Sequence, residues 1–296
     1  MTAASSHKVS AIICTRNRAA SLERTLQTMV KLDLAGITEF ELVIVDNGSS
    51  DATRSVIEAF EADAPFPIRY LSELRPGLSA ARNSGLAMAG GALILLTDDD
   101  CLVPANWAQV GVGLLELEPL QVIGGRVDLH NPAHLQVSIR TGLVGKTASP
   151  VEVFGFVIGA NMAFGRAVVD KIGLFDVRLG AGTRLHAAED TEFAYRALIN
   201  GIPVRYDPSF VVRHDHGRTE QGDFYRLRRG YAIGGGAMMM RYLLAGRTDL
   251  ARAIYWDLRT ALRQRHKTDW RSPLHKLAFL NGAVRFLLQS SWKKAW

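Results

Sequence analysis

The sequence has few cysteines and no long apolar run. Its 296 residues include two cysteines, Cys14 and Cys101, each at the end of a short apolar run that is typical of a strand. Neither a disulfide framework nor a cysteine zinc site is indicated, and a reducing compartment is expected. No stretch approaches the roughly 18 uninterrupted apolar residues of a membrane-spanning helix, and residues 1–8 lack the apolar segment of a signal peptide. These absences predict a cytoplasmic protein that is neither secreted nor membrane-spanning.

Acidic residues are scarce in the last quarter of the chain. Residues 225–296 contain 15 Lys or Arg and three acids, a charge of +12, whereas the remainder contains 20 basic and 26 acidic residues, a charge of −6. The net charge of +6 is therefore a property of this basic tail. No recognisable nucleic-acid-binding module accompanies the charge, so nucleic acid is not expected as a partner. The length and the 48% hydrophobic content favour one large domain with an appendage.

Apolar strands alternate with helices in the first third of the chain. Strands are predicted at residues 9–14, 41–46, 68–71 and 92–96, and helices at residues 19–30, 52–62 and 77–89. Alternation of this kind, with short connections, predicts a parallel sheet covered on both faces. In such sheets ligands bind beyond the carboxyl ends of the strands.

Three consecutive aspartates, Asp98, Asp99 and Asp100, follow the fourth predicted strand. Carboxylates at the exit of a buried strand repel one another and lose hydration, so a counter-cation is expected, and a divalent metal suits it. If the backbone stays extended, Asp98 and Asp100 point to one side and can share the ion, while Asp99 points away. Arg16 and Asp46 end other strands at the same edge, which favours a metal site over a solvated acidic turn.

The second part of the chain is less regular. Helices are predicted at residues 104–118, 166–172 and 188–198, and strands at residues 121–128, 204–206 and 210–213. Residues 131–151 are interpreted as loops. Three further helices are predicted in the tail, at residues 224–244, 250–265 and 273–292, and the first of them contains the triplets Gly234-Gly235-Gly236 and Met238-Met239-Met240.

Seven motifs, in order and spacing, resemble those of the family 2 glycosyltransferases of the GT-A fold. They lie within residues 8–216, at residues 9–18, 44–51, 77–83, 98–100, 159–164, 189–190 and 214–216. The resemblance implies a Rossmann-like α/β fold with a mostly parallel central sheet flanked by helices. Residues 1–220 would form the catalytic domain, with a nucleotide-sugar half at about 1–100 and an acceptor half at about 101–220, and residues 221–296 a basic helical region. One departure is Asn47, where many members carry a second aspartate.

The same resemblance implies a reaction. A sugar would move from a nucleotide diphosphate of the UDP, dTDP or GDP type to a hydroxyl of a saccharide or lipid-linked acceptor, in polysaccharide or glycoconjugate biosynthesis. Mn²⁺ or Mg²⁺ would bridge the diphosphate, held by Asp98 and Asp100 with His214 or His216 as a further ligand. Such ions are commonly held by one or two carboxylates and offset the charge of the departing group.

The catalytic base is assigned by resemblance to Asp190, with Glu189 as the alternative. A base is required because the acceptor hydroxyl loses its proton as it attacks, and a single displacement would invert the anomeric configuration. These two acids also open a predicted helix, where they would complement the helix dipole whatever their catalytic role. A retaining mechanism stays open.

The remaining site residues surround the donor and the acceptor. By resemblance, Ala160 and Asn161 would line the sugar or acceptor pocket, whereas Phe154, Phe156 and Phe164 are expected in the core. Arg82 would approach the diphosphate or the base, unless it is an ordinary helix-surface arginine. The donor-binding set is Thr15, Arg16, Asn17, Asp46, Arg82, Asp98 and Asp99.

The basic tail allows two interpretations. Its amphipathic helices and the terminal segment 292–296, which combines tryptophans with lysines, could lie on an anionic membrane surface. Alternatively, they pack on the catalytic core or on a second copy of the chain in a homodimer. Two rival functions also remain, a sugar-phosphate nucleotidyltransferase and a non-catalytic nucleotide-sugar-binding partner. The former requires a glycine-rich loop after the first strand, and residues 15–18 contain no glycine.

Overall fold

A nine-stranded sheet runs through the part of the chain that the computed structural model describes, residues 5–250 and 273–288, with side chains from residues 8–250 and 276–288. The strands are β1 (Ser5–Thr15), β2 (Ile37–Asp46), β3 (Ile68–Ser72), β4 (Leu93–Asp98), β5 (Cys101–Leu102), β6 (Val122–Leu129), β7 (Lys146–Thr147), β8 (Asn161–Gly165) and β9 (Val204–His214). The helices are α1 (Ala19–Met29), α2 (Thr53–Asp63), α3 (Leu78–Met88), α4 (Trp107–Leu117), α5 (Arg166–Ile172), α6 (Glu189–Ile199), α7 (Gln221–Leu244) and α8 (Pro273–Leu288), with a short 3-10 turn at Pro150–Glu152.

The strand order places the predicted site at the carboxyl ends of strands in the middle of the sheet. It is β3-β2-β1-β4-β8-β6-β9-β5, with β7 also paired to β9. Strands β1 to β4 are parallel, and β8 runs antiparallel to both β4 and β6. Thr15 pairs with Asp46, and Cys14 pairs with Asp98, so the carboxyl ends of β1, β2 and β4 are level. The mixed, mostly parallel α/β sheet that the sequence predicts is confirmed.

The parallel strands are buried on both faces. Alternate residues such as Ile12, Val43 and Ile94 belong to one hydrophobic core, which also contains side chains of α3, α5 and α6. Their neighbours Ile13 and Ile44 belong to a second core, beneath α1, α2 and α4. A strand between two such layers needs apolar residues at every position, which is why these strands appear in the sequence as uninterrupted apolar runs.

Strand β9 corrects the prediction of two short strands. It is one strand that pairs with β6 on both sides of a register shift, since Asp207 pairs with Gly125 and Val211 with Arg126. The three intervening residues, 208–210, have no partner opposite them and form a bulge. Because proline lacks the amide hydrogen that a ladder needs, Pro208 marks this interruption.

Helices α7 and α8 pack together and against the α/β core. A Cβ added at Gly236 would overlap the carbonyl of Phe279, and one at Gly282 would overlap the carbonyl of Ile233, so the two backbones are in direct contact. The Tyr242 hydroxyl of α7 donates to Glu192 of α6 (2.6 Å). Packing on the core is therefore confirmed for these two helices, whereas the predicted helix 250–265 and the segment 292–296 lie outside the described residues. Among the helices described, none combines the length and the apolar character needed to cross a bilayer.

Candidate active site

A cavity of about 1220 Å³ lies beyond the carboxyl ends of β1 and β4. One end is formed by the loop after β1, by the three aspartates and by the start of α6. The other end is formed by α7 and α8, and the segment 154–160 connects the two, because Phe154 lies beside Gly235 of α7 and the Gly159 amide donates to Asp190 of α6. The volume is sufficient for a nucleotide sugar together with part of an acceptor.

The three aspartates face three different sets of partners. The chain turns at Asp99 and Asp100, so the side-chain alternation expected of an extended backbone does not hold. Asp98 keeps 31% of its side chain exposed and faces Arg82 (3.3 Å). Asp99 is buried and accepts a hydrogen bond from Thr15 Oγ1 (2.7 Å), and burial raises its pKa to about 7 although Arg18 acts in the opposite direction. Asp98 and Asp100 are thus not presented to a ligand as a matched pair.

Asp100 and His214 form a buried pair. His214 Nε2 lies 3.0 Å from Asp100 Oδ1, and Arg18 Nη2 donates to Asp100 Oδ2 (2.7 Å). Burial opposes ionisation of Asp100, but His214 and Arg18 outweigh it and hold the pKa of that carboxyl well below its usual range. Burial likewise opposes protonation of His214, while Asp100 raises the pKa of the imidazole. The geometry therefore suits a positive charge, a proton or a cation, between Asp100 Oδ1 and His214 Nε2.

The donor atoms of this pair suit a divalent cation. His214 Nδ1 donates to the carbonyl of Ser138 (3.2 Å), which directs the Nε2 lone pair at Asp100. A carboxylate oxygen and a nitrogen lone pair that face each other repel unless a proton or a metal ion lies between them. Oxygen and imidazole ligands of this kind fit Mn²⁺ or Mg²⁺. Ser138 is itself held by α7, since its hydroxyl lies 2.5 Å from the hydroxyl of Tyr231.

Cys101 lies beside this pair, a position that the sequence pattern did not predict. In the described part of the chain, one ligand atom each from Asp100, Cys101 and His214 lies within 4.8 Å of the other two, and Asp98 is not part of the group. Cys101 pairs with His214 across β5 and β9. Burial raises the pKa of its thiol well above the usual range, so the sulfur stays protonated and is a poor ligand for a hard ion.

His216 has both ring nitrogens engaged by the backbone. Its Nε2 donates to the carbonyl of Leu135 (3.0 Å), and its Nδ1 accepts from the Arg218 amide (3.0 Å). Burial and the charge of His214 lower the pKa of His216 to about 4. Of the two histidines proposed as ligands, the geometry therefore favours His214.

Arg82 is buried between the aspartates and the start of α6. It is 3% exposed and pairs with both Asp98 (3.3 Å) and Glu189 (3.0 Å), which excludes the helix-surface alternative. A Cβ added at Gly159 would lie against both Nη atoms of Arg82, so glycine is required there for the guanidinium to fit. Burial and the charge of Asp190 raise the pKa of Glu189 to about 7 although Arg82 acts in the opposite direction.

Asp190 faces the cavity and is oriented by backbone donors. Its Oδ2 accepts a hydrogen bond from the Gly159 amide (2.9 Å), and its Oδ1 accepts one from the Thr191 amide (2.6 Å). A carboxylate fixed in this way and partly exposed to the cavity can accept a proton from a bound hydroxyl.

The residues expected around the nucleotide divide into two groups. Thr15 and Arg16 line the cavity, and Arg16 is exposed there. Asn17 and Asp46 do not line it. Asn17 Oδ1 accepts from the Ser50 amide (2.7 Å), which joins the loops after β1 and β2, and Asp46 is buried and accepts from the Ser49 amide (2.8 Å). These two side chains shape the strand-end loops.

Asn47 lines the cavity where many relatives were expected to carry an aspartate. Its Nδ2 donates to the carbonyls of Glu73 (2.8 Å) and Arg75 (2.7 Å), and its Oδ1 accepts from the Gly77 amide (3.0 Å). An aspartate would direct its charge at two carbonyl oxygens. The asparagine therefore fixes the loop that leads into α3.

The pocket residues beside β8 are only partly placed as expected. Ala160 lines the cavity, but Asn161 is fully buried and does not. Asn161 Nδ2 donates to Arg126 and Phe210 carbonyls (3.0 and 2.9 Å), and Trp107 Nε1 donates to Asn161 Oδ1 (3.0 Å). The side-chain amide of Asn161 thus hydrogen-bonds to backbone carbonyls of β6 and of the β9 bulge. Phe156 and Phe164 are in the core as predicted, whereas Phe154 is 39% exposed and lines the cavity.

Curated relatives of this chain carry glycosyltransferase names. A probable glycosyltransferase of Bacillus subtilis (YdaM) is 26% identical over 250 residues, covering 80% of this chain and 57% of the relative. The pre-mycofactocin glycosyltransferase of Mycobacterium tuberculosis is 24% identical over 274 residues, covering 83% and 55%. The chain thus spans little more than half the length of these two relatives.

Solved structures share the fold. The mannosyltransferase PcManGT of Pyrobaculum calidifontis, in complex with GDP-Man and Mn²⁺, superposes with a TM-score of 0.64 at 18% identity, covering 96% of this chain and 88% of that one. Residues 1–349 of S. aureus TarS, in complex with UDP, superpose with a TM-score of 0.56 at 16% identity, covering 98% and 92%.

Family models match most of the chain. The model for glycosyl transferase family 2 matches residues 10–173, and that for glycosyl transferase family group 2 matches residues 93–291. The first match alone covers more than half of the chain and runs from the second half of β1 through β8, including the three aspartates. This chain is therefore a member of glycosyltransferase family 2.

Proposed function

We propose that the protein transfers a sugar from a nucleotide-diphosphate donor to a hydroxyl acceptor, with a divalent metal and with inversion at the anomeric carbon. The observation that carries the proposal is that the Asp100–His214 pair and the Glu189–Asp190 pair face one cavity at the carboxyl ends of the strands. Family membership and the nucleotide ligands of PcManGT and TarS support the same reaction.

The donor half is assigned to the strand-end loops. Thr15 and Arg16 line the proposed nucleotide position, with Asp46 and Asn17 fixing the loops beneath it. Asp98, which lines the cavity and is partly exposed, is assigned to the donor sugar or ribose. Mn²⁺ or Mg²⁺ would be held by Asp100 and His214 and, when bound, would offset the charge that develops on the departing diphosphate.

The acceptor proton is assigned to Asp190. As the acceptor oxygen attacks the anomeric carbon, its proton passes to an oxygen of the Asp190 carboxylate, while the bond to the nucleoside diphosphate breaks on the opposite face of the sugar. Hydrogen bonds from the Gly159 and Thr191 amides keep the carboxylate oriented during this step. Arg82 holds Glu189 beside it as an ion-paired neighbour.

A thermal-unfolding panel of nucleoside diphosphates, with and without Mn²⁺, tests the proposal. At least one diphosphate should raise the unfolding midpoint only when Mn²⁺ is present. Asp100→Asn should abolish this Mn²⁺-dependent rise, whereas Asp63→Asn, at an exposed end of α2, should retain it. If no diphosphate gives a metal-dependent rise, the proposed reaction is wrong. The anomeric configuration of the product, measured by NMR, then separates inversion from retention.

A further inference from the structure

The two ends of the cavity differ in charge. The acids that line the cavity all lie at the strand end, where they outnumber the arginines; the acids are Asp98, Asp99, Asp100, Glu189 and Asp190, and the arginines are Arg16, Arg18 and Arg82. The end formed by α7 and α8 contributes Arg228 and Lys276 to the lining and, among the described residues, no acid. Nε of Arg228 is buried without a hydrogen-bond partner among the described residues. The helix end is therefore a cationic compartment in which an anion would find unused donors.

The wall of this compartment is apolar. A Cβ added at Gly235 would lie 3.4 Å from the ring of Phe279 and 3.5 Å from the ring of Phe154, so the two rings flank the glycine. The segment that carries Phe154 continues to Gly159, whose amide donates to Asp190. The apolar wall therefore begins beside the proposed catalytic base and leads away from it.

The wall continues onto the outside of α8. A surface helix ordinarily presents a polar face to water, yet the outward stripe of α8 is apolar while Ala278, Gly282 and Phe286 face inward. The exposed residues of the stripe are Leu277 (61%), Leu280 (59%), Val284 (52%), Leu287 (41%) and Leu288 (79%). Leu280 belongs both to this stripe and to the cavity lining, so the inner and outer apolar surfaces are continuous.

From this continuity we propose, on the basis of the glycosyl transfer proposed above, that the acceptor is an amphiphile: a hydroxyl group carried on an apolar chain with an anionic group such as a phosphate. The hydroxyl lies at Asp190, and the chain follows Phe154 and Phe279. The anionic group lies between Arg228 and Lys276, and the chain leaves past Leu280 along the outer stripe of α8. A free hydrophilic saccharide would leave both the apolar wall and the cations without partners.

Calorimetric titration of the full chain with simple amphiphiles tests this assignment. Decyl phosphate, decyl β-glucoside and inorganic phosphate are compared below their micelle concentrations, with Mn²⁺ and the stabilising nucleoside diphosphate at saturation so that the donor site is filled. Decyl phosphate should bind at least about tenfold more tightly than inorganic phosphate, because several buried methylenes contribute to its binding. It should also bind about tenfold more tightly than the glucoside, because the phosphate gains charge-assisted hydrogen bonds.

Matched variants locate the binding site. Lys276→Glu should weaken decyl phosphate about tenfold and leave the glucoside unchanged, whereas Leu280→Gln should weaken both alkyl probes. Lys171→Glu on α5 and Leu117→Gln on α4 alter exposed residues outside the cavity and should change neither. All four positions are exposed, so unfolding midpoints close to wild type will show that the fold is intact.

Two results would overturn the proposal. The first is that decyl phosphate binds no more tightly than inorganic phosphate. The second is that Lys276→Glu and Leu280→Gln both bind decyl phosphate as tightly as the wild type does. Either result, obtained with a chain that still shows Mn²⁺-dependent stabilisation by a nucleoside diphosphate, removes the amphiphilic acceptor and leaves the transfer reaction in place. If no nucleoside diphosphate stabilises the wild-type chain with Mn²⁺, the proposed reaction is contradicted, and the acceptor assignment that rests on it is contradicted too.

Discussion

Asp190 and Glu189 are adjacent in the chain and have different surroundings. Glu189 is buried and paired with Arg82, whereas Asp190 accepts backbone hydrogen bonds and is partly exposed to the cavity. Asp190→Asn should therefore lower transfer by about 10²–10⁴-fold, the usual contribution of a general base, while Mn²⁺-dependent stabilisation by the nucleoside diphosphate is retained. Asp63→Asn is the matched control for both measurements. Substantial residual turnover would transfer the role to Glu189.

The raised pKa of Glu189 predicts a pH-dependent stability. Because burial and Asp190 raise its pKa from about 4.5 to about 7, the folded state binds the proton more tightly than the unfolded chain does. The contribution of Glu189 is thus most favourable below about pH 4.5 and is lost as the pH rises through 7. Glu189→Gln should reduce the fall in unfolding free energy between pH 5 and pH 8, measured in denaturant. Glu61→Gln, on the exposed face of α2, should not; equal slopes in the two variants would contradict the assignment.

Gly159 controls the position of Arg82. A methyl group there would meet the guanidinium, 2.8 Å from Nη1, and push it from Asp98 and Glu189. Since the end of an arginine side chain can shift, Gly159→Ala should lower transfer by at least about tenfold with a smaller effect on the unfolding midpoint. Gly113→Ala on α4, where a Cβ meets nothing within 4 Å, is the control and should leave transfer unchanged. A lowered unfolding midpoint with little loss of transfer would argue against a positioning role for Gly159.

The positions of the strand-end carboxylates were predicted from the sequence, but the turn at Asp99 and Asp100 was not. The carboxylates at strand ends could be placed because a strand and its exit loop are adjacent in the chain. Arg82 could not be assigned between surface and site, because its partner Glu189 is 107 residues away. Asn161 was expected in the pocket, but the carbonyls it satisfies come from β6 and the bulge of β9, which no local pattern reveals.

At the scale of elements, the glycines of α7 determine how the C-terminal helices pack. Gly236→Ala would place a methyl group against the Phe279 carbonyl, and overpacking of this kind costs about 1–3 kcal/mol. The unfolding midpoint should fall. Gly222→Ala lies in the first turn of the same helix with nothing within 4 Å and should be neutral or slightly stabilising. If both variants behave alike, close packing of α7 and α8 does not contribute to stability.

Helix and strand positions and the parallel arrangement of β1 to β4 were largely predicted, but the order of the strands in the sheet was not. Each of α1 to α6 begins within three residues of its predicted start, because hydrophobic periodicity and breaker residues are local signals. The antiparallel insertion of β8 between β4 and β6 depends on contacts between distant segments. The bulge of β9 interrupted its apolar pattern and made one strand resemble two.

At the scale of the whole molecule, the charge asymmetry and the outer stripe of α8 favour attachment to an anionic membrane surface. The full chain should co-sediment with vesicles containing anionic phospholipid, and less with zwitterionic vesicles or at high salt, since each basic residue near such a surface contributes about 1 kcal/mol. Val284→Gln with Leu288→Gln should weaken this binding, and Leu117→Gln should not. Equal sedimentation of all three proteins would contradict contact through α8.

The contacts of α7 also limit how this chain could be recombined with a relative. Arg241 and Tyr242 hold Glu192 in α6, the helix that begins with Glu189 and Asp190, and Tyr231 holds the segment whose carbonyl orients His214. A chimera that exchanged only the C-terminal helices to obtain a new acceptor preference would thereby also disturb the base and the histidine. Successful grafts should carry these three side chains over unchanged, and the exchangeable unit is the α8 surface alone.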